Sequence, residues 1–220
     1  MAQRILVWDI PTRVFHWALA LSFAIAFLTA ETERYRDFHV TLGYLTLGLV
    51  AFRLSWGFVG TRYARFSSFT FRPAETMEYV KSLIQRNPRH YLGHNPAGAI
   101  AIFLLLGLTL LTGLSGALLY FDVGDDVFED IHEAGANGML AVIFIHIAGV
   151  IVSSLMHREN LVISMITGYK SSDHNLSISL PYAWLGVIMV VLMVAFLTWF
   201  QPADSGSSGD GSTASTKYED

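Results

Sequence analysis

The sequence predicts an all-α integral membrane protein, a bundle of four long helices with a fifth transmembrane helix beside it. Three observations carry this. Of 220 residues, 53% are hydrophobic and only 15% charged, against about 25% charged in a soluble domain. The apolar residues gather in runs long enough to cross a hydrocarbon core of about 30 Å. The basic residues crowd into alternate gaps between those runs, as they do in membrane proteins.

Residues 1–13 (MAQRILVWDIPTR) form a lead-in. Asp9 is placed to start a helix, with Pro11 in the first turn, where its missing N–H is harmless. The first span is Val14–Ala30, its helix beginning near Pro11. This run is too long and too aromatic for a cleavable signal and lacks a small-residue cleavage site. A charged turn, 31–38, leads to the second span, Phe38–Phe58, with Arg53 near its end and within snorkelling reach of the surface. The longest polar segment, 59–96, carries Arg62, Arg65, Arg72, Lys81, Arg86 and Arg89. Within it, Pro73–Gln85 reads as an amphipathic helix with Met77, Val80 and Ile84 on one face, lying on the membrane or against the bundle. The third span is Ala97–Phe121, where Gly107, Gly113 and Gly116 allow close helix packing. An acidic turn, 122–133, precedes the fourth span, Ile131–His157. Leu161–Tyr169 is an amphipathic connector. The fifth span, Pro181–Phe200, holds no ionisable residue and serves packing or anchoring. Residues 202–220 are Ser/Gly-rich and acidic and are expected to be disordered. With the N-terminus inside, 11 of the 14 Lys and Arg residues face the inner side, which sets five spans with the C-terminus outside.

Cysteine is absent, so thiolate-ligated metal centres and covalently attached haem are excluded. Histidines fill the gap. His132 and His146 lie 14 residues apart in the fourth span, so both rings leave one face about 40° apart in azimuth and about 21 Å apart along the axis. One imidazole thus serves each half of the bilayer. His39 opens the second span at the outer side and matches His132. His16, near the inner end of the first span, matches His146 if the first helix starts early or tilts. Each is followed at i+3 or i+4 by a small residue: Ala20, Gly43, Gly135 and Gly149. Missing side chains beside imidazoles leave room for something flat and large, and a histidine within a span is functional by default. Two haems, each held by two histidines, fit this pattern. Zinc fits less well, because it takes three or four converging ligands. Arg13 and Arg53 are candidates for haem propionates or lipid phosphates. His90, His157 and His174 read as solvated or interfacial. His94, at the start of the third span, lies near the inner haem level. The five tryptophans read as interface belts.

The segments VWDIPTRVFHW, HVTLGYLTLGLVAFRLSWGFVG, ARFSSF, YLGHNPAGA and HEAGANGMLAVIFIHIAGV…HRENLVISMITG resemble the bacterial cytochrome b561 and nickel–iron hydrogenase b-type cytochrome family. The resemblance covers roughly residues 5–170. It implies a four-helix core binding two haems b, with His16, His39, His132 and His146 as iron ligands. It also implies electron transfer between a periplasmic or membrane-associated redox protein, cytochrome c or hydrogenase-like, and the quinone pool. The expected units are a di-haem core at 1–170, the fifth helix at 171–201 and the tail at 202–220. The expected location is a bacterial inner membrane, and no nucleic-acid partner is expected. An alternative is a superoxide:quinone oxidoreductase using the same haems. The acidic outer turn (Asp122, Asp125, Asp126, Glu129, Asp130) argues against attracting an anion there and suits a basic partner. A non-redox anchor would leave the four histidines unexplained.

Overall fold

The computed structural model describes residues 3–202 apart from residues 86 and 88. The expected disordered tail therefore lies outside the described residues but for its first position. The elements are β1 (Gln3–Leu6), α1 (Ile10–Thr29), α2 (Arg36–Val59), α3 (Pro73–Ile84), α4 (Pro96–Tyr120), α5 (Asp125–His157), α6 (Leu161–Thr167), β2 (Tyr169–Ser172) and α7 (Ala183–Trp199). Of these, α1, α2, α4 and α5 are long and apolar enough to cross a membrane. The fifth, α7, has 17 residues, about 26 Å of helix, and is the short member of the set.

Local chemistry sets the helix starts. Thr12 N–H donates to Asp9 Oδ1 at 2.7 Å and Gly98 N–H to Asn95 Oδ1 at 2.7 Å, each with proline in the first turn. Ile163 N–H donates to Asn160 Oδ1 at 2.9 Å. These are N-caps that satisfy otherwise orphaned donors.

Packing runs α1 on α2, α2 on α4, α4 on α5, with α7 against α1. Phe15, Leu49, Val50, Leu106 and Met189 from four of these helices form the intramembrane core. Gly186 lets α7 approach α1, since a Cβ there would lie 2.4 Å from Ile10 Cγ2. The long helix α5 behaves differently. It lies along α4, with Gly135 against Thr112 and the Thr109 hydroxyl donating to Met139 Sδ at 3.1 Å. Only 11% of its apolar window is buried, and among the described residues it makes no extended packing with α1 or α2.

A second core closes one end. There β1 and β2 pair antiparallel, Ile5 opposite Lys170, over Ile5, Val7, Trp8, Tyr63 and Ile178. Val7 and Trp8 N–H both donate to Gly168 O at 2.9 and 3.0 Å.

Several expectations change. The lead-in contains a strand, because four residues are too few to show alternation. Most of the acidic turn is helix, since α5 begins at Asp125 rather than Ile131. The amphipathic α3 docks through buried Tyr79, whose hydroxyl contacts Ser153 and Asn95, while Met77, Val80 and Ile84 stay exposed. Trp8 and Trp56 are interior residues, whereas Trp17, Trp184 and Trp199 are exposed as belt residues are. Arg53 does not snorkel: it is 3% exposed.

Candidate functional site

The structure brings the four span histidines together in two pairs. The His39 and His132 rings lie 5.9 Å apart, centroid to centroid, and the His16 and His146 rings 6.5 Å apart. The depth mismatch expected for His16 disappears, because α1 starts at Ile10 and α5 runs 11 residues past His146. Both pairs bridge the interval across which α5 stands off from α1 and α2.

The His39 and His132 rings are oriented by backbone. His39 Nδ1 donates to Ala26 O at 2.9 Å and His132 Nδ1 to Thr112 O at 2.8 Å. A carbonyl only accepts, so each Nδ1 carries the proton and each Nε2 is left with a free lone pair. In the His16–His146 pair, His16 Nδ1 is buried and lacks a hydrogen-bond partner among the described residues, and the ring stands edge-on to Trp17 at 5.0 Å. The small residues divide by role. A Cβ on Gly43 or Gly149 would meet nothing within 4 Å, so both border open space. Gly135 instead lets α5 approach α4 at Thr112.

Around the His16–His146 pair lie groups that the sequence reading treated singly. Arg53 sits over Phe66 at 4.8 Å and within 6.0 Å of Phe69. His94 packs between Trp8 at 4.6 Å and Phe69 at 4.5 Å, so it is an interior residue near the inner level. Burial, and after it Arg53 and Lys170, pushes the His94 imidazole down to about 3, which keeps it neutral. Arg13 donates through Nη2 to Ile166 O in α6. It also lines a cavity of about 430 Å³ with Ile10, Val14, Trp17 and Ile166.

Two further clusters have no local signal in the sequence. Asp9 is 1% exposed and accepts from Trp56 Nε1 at 3.2 Å and from the Thr61 hydroxyl besides its capping bond. Lys170, read only as a topogenic charge, is buried and pairs with Glu159 at 3.1 Å. Burial lowers its pKa, with Glu159 opposing. His90 Nε2 lies 3.5 Å from the same carboxylate and its ring 5.1 Å from that of His157. His174 is exposed.

Residues 7–168 match the family description "prokaryotic cytochrome b561". Among curated proteins, the chain is 27% identical to the "Probable Ni/Fe-hydrogenase B-type cytochrome subunit" of Rhodobacter capsulatus, covering 75% of this chain and 80% of that one. Its likeness to the protein of the same name from Rhizobium leguminosarum bv. viciae is 26%, over 76% of this chain and 88% of that one. The "Probable Ni/Fe-hydrogenase 1 B-type cytochrome subunit" of Escherichia coli K12 is 22% identical, over 75% and 90%. No solved structure matches the chain. The multi-pass helical bundle and the matched span together make the assignment: the chain belongs to the prokaryotic cytochrome b561 family, membrane b-type cytochromes that carry haem and transfer electrons.

Proposed function

We propose that the chain holds two haems b, one per membrane level, and relays electrons between a redox protein at the outer face and quinone at the inner face. The observation that carries this is the double histidine pair from three helices, each pair spaced so that both imidazoles could hold one iron. Taking about 2 Å for a metal–imidazole bond, as for zinc, and about 1 Å from ring nitrogen to ring centre, two imidazoles holding one metal between them would stand about 6 Å apart. The pairs measure 5.9 and 6.5 Å. The orphaned Nδ1 of His16, the empty surroundings of Gly43 and Gly149, and the stand-off of α5 all fit a flat group between the helices.

When bound, haem supplies one-electron chemistry, and two histidine ligands leave no open position for oxygen at the iron. The protein's own part is to hold His39 and His132 by backbone carbonyls, which fixes tautomer and ring direction and raises ligand basicity. It also sets the levels about 21 Å apart along α5. At the inner end, the cavity beside Trp17 is mainly apolar with one guanidinium, Arg13, at its wall, a lining that suits a quinone. Arg13 and Arg53 also remain candidates for propionate carboxylates. The outer partner is a hydrogenase-like or cytochrome c-like protein. The hydrogenase reading rests on the relatives' names, and the exposed Asp122, Asp126, Glu129 and Asp130 suit a basic docking surface.

Purified protein should give a reduced-minus-oxidised spectrum of low-spin haem b, with extracted haem near two per chain. His146→Ala should remove the inner haem and His132→Ala the outer, each leaving the other. A colourless protein, or both haems surviving either substitution, would defeat the proposal.

A further inference from the structure

Arg53 stands on α2 14 residues after His39, the same interval that separates His132 from His146 on α5. The two therefore leave one face of α2 about 40° apart and about 21 Å apart along it. The helix that ligates at the outer level thus presents a guanidinium, not an imidazole, at the inner one. Depth agrees: Arg53 lies six residues before the end of α2 and His16 six residues after the start of antiparallel α1.

This guanidinium has no ion-pair contact among the described residues, and the Asp9 carboxylate acts on it only from a distance. Arg53 is 3% exposed, its Nη1 is buried without a hydrogen-bond partner, and among the described residues it forms no ion pair. The buried carboxylate of Asp9 already takes the Thr12 amide, the Trp56 indole and the Thr61 hydroxyl. Also packed on Phe69, His94 has a second buried nitrogen, Nδ1, that lacks a partner among the described residues. A buried donor left unpaired costs about 1–3 kcal/mol, and a charged one more. Two such groups beside one phenyl ring, within electrostatic reach of each other and of the His16–His146 pair, form a place that an anionic acceptor would satisfy.

We propose that Arg53 and His94 together receive a propionate carboxylate of the inner haem, the guanidinium as its ion-pair partner and His94 Nδ1–H as a second donor. This rests on the two-haem reading above. Arg53 matches a carboxylate in shape as well as charge. His94, neutral and held between Trp8 and Phe69, adds direction without a second charge.

The test is reconstitution of the full-length, haem-depleted protein with protohaem IX or with its dimethyl ester, in which the carboxylates are masked. In a His132→Ala background, where the inner pair is the one remaining, the ester should bind at least about tenfold more weakly than the free acid, or about 1.4 kcal/mol. Arg53→Met should abolish most of that discrimination, Arg53→Lys should retain part of it, and His94→Phe should reduce it. The same substitutions in a His146→Ala background, read by uptake at the outer pair, report whether each variant folds. Equal binding of acid and ester, or undiminished discrimination in both Arg53→Lys and His94→Phe, overturns the propionate site. Failure of the His132→Ala protein to take up either compound overturns the two-haem reading instead.

Discussion

Gly116 shows how one absent side chain can seat an imidazole. A Cβ at this position would lie 2.7 Å from Cε1 and 2.8 Å from Nδ1 of His132, closer than real contacts allow. With hydrogen there, the imidazole rests against the backbone of α4 and its Nδ1–H reaches Thr112 O. Its neighbour Gly113 serves the helix packing expected of both, against Leu47 of α2. Gly116→Val should therefore push the ring off its carbonyl, at a strain of about 1–3 kcal/mol, and leave the inner haem alone. Extracted haem should fall to half the wild-type value. Gly107, which borders open space, supplies the control: Gly107→Ala should keep both haems. Full haem content in Gly116→Val would mean that His132 does not need this surface.

At the scale of elements, Asp9 joins the start of α1 to the end of α2 and the loop after it. Asp9→Ala leaves the Thr12 amide, the Trp56 indole and the Thr61 hydroxyl without their acceptor, about 1–3 kcal/mol for each buried donor. The Soret band should be lost at a clearly lower temperature on heating. Asp9→Asn should fall between, since one carbonyl oxygen remains to accept; a midpoint unchanged in both would remove Asp9 as a brace. Its capping role is readable in the sequence, because Asp two residues before proline marks a helix start. Its partners 47 and 52 residues away carry no local mark. The same divide runs through the whole fold. Long apolar helices announce themselves by length, and His132 and His146 announce their shared face by spacing. The β1–β2 pair is too short to show a period and joins segments at opposite ends of the core. The His16–His146 match looked strained because hydropathy locates where apolar runs stop, whereas α1 starts before its apolar run, at Ile10, and α5 reaches 11 residues beyond His146 to His157.

On the scale of the whole molecule, the two ends of the bundle differ in kind. One carries the β1–β2 layer, α6, the second core and α3, and gathers 10 of the 12 described Lys and Arg residues. The other carries short connections and the exposed acidic first turns of α5. Basic residues resist translocation, so the first end should face the cytoplasm, which puts His16, His146 and the Arg13 cavity on that side and His39 and His132 opposite. The odd number of crossings makes this testable. Alkaline phosphatase fused after Gln201 should be active and green fluorescent protein at the same place dark, while the fluorescent protein fused ahead of Met1 should be bright. Both C-terminal results reversed, with the N-terminal fusion bright, would mean that α7 does not cross. At about 26 Å it is the helix for which that outcome is physically open. The four-helix core and its levels would stand, and the tail would join the cytoplasmic side. An N-terminal fusion that is dark would invert the whole molecule and with it the sides assigned to the two histidine pairs.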